Sequence, residues 1–168
     1  MRHTVDLRER IRGHYEQVPA ILRLDVEHII REPLEEIRVQ VGQSFIGRRV
    51  KARVGAPHPV GPPRGLSPRT LEIPLQWKAA EHARLFPTMH GVLSLRGSGP
   101  HTIELRLLGD YTTPWGPVGA LADRVAGHDA VTASLRGYLA EVGRRLEDAI
   151  RQHAPVGTRG RGRIERSP

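Results

Sequence analysis

At 168 residues, with no cysteine and no apolar run long enough to span a bilayer, the chain has the length of one domain and excludes disulfides, thiolate chemistry and a transmembrane helix. The formal net charge of +8 is concentrated: residues 151–168 hold five arginines and one glutamate, so the body carries only an ordinary basic excess. The N-terminus sets Asp6 and Glu9 among its arginines and has no apolar core, so no signal peptide is read and the cytoplasm is the expected location.

Residues 11–20, IRGHYEQVPA, alternate Ile11, Gly13, Tyr15 and Gln17 before Pro19, which predicts a short first strand. Residues 20–32 place Ile21, Leu22, Val26, Ile29 and Ile30 at three- and four-residue spacings, an amphipathic helix that Pro33 is expected to stop. A strand at 35–41 puts Ile37, Val39 and Val41 on one face, and one at 45–54 does the same with Ile46, Val50, Ala52 and Val54. Arg48 shares that apolar parity. The proline-rich stretch 55–69 predicts a long loop.

Three further strands follow. Residues 70–79 turn Leu71, Ile73, Leu75, Trp77 and Ala79 inward, 89–96 turn Met89, Gly91, Leu93 and Leu95, and 101–111 turn Ile103, Leu105, Leu107 and Tyr111. Such alternation belongs to an antiparallel sheet with one solvated face. GSGP at 97–100 predicts a hairpin loop, and Pro74, on the outward parity, predicts a bulge or bend.

From Pro117 to His153 the period changes. Val118, Leu121, Val125, His128, Thr132, Leu135, Leu139, Val142, Leu146 and Ile150 form one stripe on a helix of about 35 residues, roughly 50 Å long. Pro114, Gly116 and Pro117 make the corner into it. Gly127, Gly137 and Gly143 mark weak points or places of close approach. Residues 1–153 thus read as a single domain, and 154–168 as a disordered basic tail.

A curved sheet with an apolar concave face needs cover, and the last helix is the only element long enough to supply it. The fold class is therefore α+β, with a curved antiparallel sheet wrapped around a long C-terminal helix in a helix-grip arrangement. The block 74–125, with LFPTMHGVLSL, LGDYTTPWGPVG and ALADR, resembles the C-terminal half of START-like proteins of the SRPBCC superfamily, which includes polyketide cyclase/dehydrase-type members. The resemblance extends over roughly residues 10–152, although only one helix stands where the family usually has two. It implies a hydrophobic cavity between sheet and helix that takes lipids, sterols, polyketides or similar molecules. No single activity is implied, because one fold hosts many functions.

Candidate walls of that cavity are Trp77, Leu93, Leu105, Leu107, Tyr111, Val125, His128, Thr132, Leu135 and Leu139, with Arg48 as a polar contact and the segments 55–69 and 112–117 as its rim. His128 and Thr132 equally fit groups that satisfy each other or the backbone, and Arg48 fits a strand start reaching solvent. The scarcity of ionisable inward positions favours a non-catalytic binding module for a small hydrophobic or amphipathic molecule. The alternatives are a cyclase- or dehydratase-type enzyme using His128, Tyr111 and Arg48, and a structural or interaction protein without a cavity. His82, His90 and His101 match no metal-ligand spacing, so neither metal nor cofactor is expected. Arginine outnumbers lysine 24 to 2, which fits a GC-rich bacterial coding sequence. With three tyrosines, two tryptophans and two phenylalanines there is little aromatic platform for nucleic acid, beyond weak contacts through the tail.

Overall fold

The computed structural model describes residues 2–35, 38–41, 44–47, 50–60, 70–79, 88–112 and 126–153. The first strand, β1 (Arg2–Arg12), begins well before the expected 11–20. Val5, Leu7 and Ile11 are buried between exposed Asp6, Arg8 and Arg10, while Glu9 occupies an inward position and hides the alternation. Beyond it the chain bends, and Tyr15–Gln17 form a 3-10 turn rather than a strand. The Gly13 N–H donates to the His101 carbonyl at 3.0 Å. A Cβ on Gly13 would lie 2.6 Å from Ile150 Cδ1, so glycine lets the bend meet the end of the last helix.

Pro19 then sits in the first turn of α1 (Val18–Val26), where its missing N–H costs nothing. Asp25 departs from helical geometry (φ −143°, ψ 39°), and a π turn (Glu27–Arg31) leads into α2 (Glu32–Glu35). Pro33 therefore does not stop the helix, contrary to expectation. In the π turn the Glu32 N–H bonds the Glu27 carbonyl. The next donor in that register would be residue 33, reaching His28, and proline has none. Arg145 Nη1 takes the His28 carbonyl instead, at 2.6 Å.

Eight strands are described. β2 (Arg38–Val41) and β3 (Ser44–Gly47) form a separate two-stranded sheet. β4 (Val50–Val54), β5 (His58–Val60), β6 (Thr70–Ala79), β7 (Thr88–Gly99) and β8 (Thr102–Thr112) join β1 in an antiparallel, curved sheet of order β1-β8-β7-β6-β4, with β5 also paired to β6. The expected single strand 45–54 is thus two strands with different partners, and Arg48 falls between them, outside the described residues. The proline-rich stretch is not all loop, because β5 lies within it; residues 61–69 are outside the described residues.

Pro74 causes no register shift, since β6 pairs β7 continuously through Pro74↔Val92. The irregularity falls on its other neighbour. β4 ends at Val54↔Leu75, β5 begins at His58↔Glu72, and Gly55 between them donates its N–H to the Pro74 carbonyl at 2.8 Å. The donor that proline lacks is thus needed least at this break. The β7–β8 connection is also tighter than expected: β7 continues to Gly99, with an irregularity between Gly97 and Gly99, and the turn is Pro100–His101.

Helix α3 (Ala126–Gln152) packs against the inner face, burying Val131, Leu135, Tyr138, Leu139, Val142, Leu146 and Ile150. Residues 117–125, the expected first turns, and the tail 154–168 lie outside the described residues. Of the helix glycines, Gly143 does permit close approach: a Cβ there would lie 2.9 Å from Ile11 Cγ2. Gly137 faces open space. Among the described residues no helix is long and apolar enough to cross a membrane.

Candidate ligand site

Sheet register places the inner-face side chains in rows. Trp77, Met89 and Tyr111 stand side by side across β6, β7 and β8, and the next row is Leu75, Gly91 and Gly109. Ile73, Leu93 and Leu107 follow, then Leu71, Leu95 and Leu105. A Cβ on Gly109 would lie 2.7 Å from the His90 carbonyl oxygen and 2.9 Å from Gly91 Cα, so the two backbones converge more closely than a side chain allows. The Met89 methyl fills the dent, 2.7 Å from that Cβ position. His3 stacks on Tyr111 at the open end of the row, with ring centroids 5.1 Å apart.

Of the expected wall residues, Trp77, Leu93, Leu105, Leu107 and Tyr111 on the sheet come together with Leu135 and Leu139 on α3 in one core. None is more than 6% exposed, so in this arrangement they are closed in by protein, and of them Leu139 also borders open space. Thr132 is half-buried on the same helix. His128 lies on α3 but its side chain is outside what is described, and Val125 and Arg48 are outside the described residues. A groove of about 490 Å³ opens between β1 and α3, with Leu139 on its wall.

Among the described residues, three buried polar atoms have no hydrogen-bond partner: Thr132 Oγ1, Tyr138 Oη and, at the start of α1, Gln17 Oε1. Tyr138 is 3% exposed, and burial pushes its phenol far above the usual tyrosine range, so it stays a neutral donor at every physiological pH. It is the residue that the stripe reading passed over. The spacing Val131, Leu135, Tyr138, Val142 is itself a four-three-four step and signals a helix face wider than one line. No charged side chain is buried among the described residues, and no group of three metal-ligating side chains occurs there. His101 instead contacts His14, nitrogen to nitrogen at 3.1 Å, and His90 is exposed; His82 lies outside the described residues. Chemically, the core offers hydroxyl donors in an apolar, sheet-and-helix enclosure.

No protein-family model matches the sequence, and no curated protein matches it significantly. Solved structures do match in shape. The Zhui aromatase/cyclase of a Streptomyces species superposes with a TM-score of 0.54 at 15% identity, covering 93% of this chain and all (100%) of that one. A conserved protein of Geobacillus kaustophilus gives 0.51 at 12% identity, covering 88% and 97%. At such identities the likeness shows the fold alone, a helix-grip arrangement of curved sheet and C-terminal helix.

Proposed function

We propose that the chain binds a small apolar or amphipathic molecule, lipid- or polyketide-like, between the inner face of the sheet and α3, without transforming it. The observation that carries this reading is the pair of orphaned hydroxyls on α3. Leaving a buried hydroxyl unpartnered costs about 1–3 kcal/mol, and a ligand carbonyl or hydroxyl entering the layer would remove that cost. The described polar ties of α3 support an entry route. Arg145 to Glu32 and His28, and Glu147 to the Arg12 N–H, fall in its C-terminal half, where the apolar Gly143–Ile11 approach also lies. The N-terminal half buries Val131, Leu135 and Tyr138 and is the part that would lift.

The same phenol gives a second reading some footing. A neutral donor in a dry layer stabilises negative charge developing on a carbonyl oxygen, as a cyclase- or dehydratase-type enzyme requires. Native mass spectrometry of the protein isolated from its own cells tests the proposal. The expected result is an adduct of fixed mass, released by organic solvent, with lower occupancy in Tyr138→Phe. Protein that carries no adduct, and takes none up from a cell extract, contradicts it. Conversion of the released molecule by fresh protein would favour the enzyme.

A further inference from the structure

β1 is the outer strand of its sheet: β8 occupies one side, and among the described residues no strand occupies the other. Its eleven residues run against β8 in unbroken register, and their backbone groups alternate between the two sides. The Arg12 N–H faces outward, since Glu147 Oε1 on α3 accepts it at 2.6 Å. By the two-residue repeat, the N–H and C=O groups of Arg10, Arg8, Asp6 and Thr4 face outward as well.

At the Arg12 end α3 closes this edge, with Gly143 against Ile11 and Glu147 as the cap. Toward the N-terminus helix and strand part. The groove of about 490 Å³ opens there, lined by Asp6, Leu7, Arg8 and Glu9 on β1 and by Arg136, Leu139 and Ala140 on α3. A free edge opening onto a groove is a template for one more strand.

The charges say which strand. Arg8 stands directly opposite Arg106 across the β1–β8 pair, a like-charge neighbour. Asp6 serves both arginines unequally: it binds Arg106 through two hydrogen bonds of 2.8 and 2.7 Å, and lies 3.9 Å from Arg8. We infer that β1 pairs antiparallel with β1 of a second copy, about a two-fold axis at Leu7, so that the two sheets become one. In that register Asp6 lies opposite the partner's Arg8, and Arg8 opposite the partner's Asp6, with outward backbone groups at both. Moving the axis to Asp6 would oppose two aspartates, and moving it to Arg8 would oppose two arginines, so of these three registers the charges favour the one at Leu7. The same charges guard the edge against other strands.

Sedimentation equilibrium of the full chain tests this. The wild type should reach twice the chain mass and dissociate on dilution. Arg8→Pro removes an outward N–H and a charge but leaves the β1–β8 ladder, whose bonds come from the odd-numbered residues, intact. It should be monomeric with an unchanged far-ultraviolet circular dichroism spectrum. Arg8→Glu sets a carboxylate against the partner's Asp6 and should raise the dissociation constant by at least about tenfold. A wild-type chain that stays monomeric at every concentration overturns the inference, and so does a dimer that survives Arg8→Glu.

Discussion

A tyrosine hydroxyl carried into an apolar core gives up its hydrogen bonds to water, and Tyr138 recovers none of them among the described residues. Tyr138→Phe should therefore raise the stability of the ligand-free protein by about 1 kcal/mol, read as a higher urea midpoint at constant slope. A lower midpoint would mean that the hydroxyl has a partner in the folded state. Gly109 behaves in the opposite way. With His90 and Gly91 backbone atoms closing on the Cβ position, Gly109→Ala should destabilise by about 2 kcal/mol or more, because backbone rather than a flexible side chain must give way. Thermal unfolding of the variant checks this, and an unchanged midpoint would contradict the packing described. Gly91 was visible in the sequence as an inward position, yet its meeting with Gly109 across β7 and β8 is set by register, which alternation alone does not fix.

At the scale of elements, the join between α3 and the kinked helical segment rests on Arg145, whose side chain is 13% exposed. It reaches the His28 carbonyl, Glu32 at 2.9 Å and Glu141 at 2.7 Å. Arg145→Met keeps the length but leaves the His28 carbonyl without its donor, while Glu141 keeps Arg144 and Glu32 keeps His28, and should cost about 1–2 kcal/mol in a denaturant titration. Hydrogen bonds from Arg144 first, and then from Arg145, hold the Glu141 carboxyl down to about 2, below its ordinary 4.5. A depressed folded-state pKa adds stability above the ordinary value, and that stability is lost as pH falls from about 4.5 toward 2. Wild-type stability should therefore decline more steeply over that window than that of Glu141→Gln, and equal slopes would contradict the pairing. None of this join was legible in the sequence, since a basic residue late in a helix reads equally well as a response to the helix dipole. β6, β7 and β8 and the stripe of α3 were legible, because most of their inward positions are apolar. β1 was not, since Glu9 occupies an inward site beside Gly143. The division of 45–54 into β3 and β4 was also hidden, because parity runs on smoothly while the partners change.

In the whole molecule, the curved sheet and α3 form a clasp with its described polar ties at one end. The C-terminal half of α3 meets β1 and the kinked helices, while the other half buries Val131, Leu135 and Tyr138 in the same core as Met89 and the leucines of the sheet. Periodicity predicted the clasp; the closed state of its core and the orphaned hydroxyls depend on packing that no single-sequence pattern contains. The chain has two methionines, Met1 and Met89, so a methyl-carbon-13 methionine spectrum reports the interior through one resonance. On addition of an organic-solvent extract of the native cells, the Met89 methyl signal should shift as ligand enters between sheet and α3, and Tyr138→Phe should weaken the response. A Met89 signal that stays fixed while a molecule from the extract is shown to bind would contradict the placement of the site.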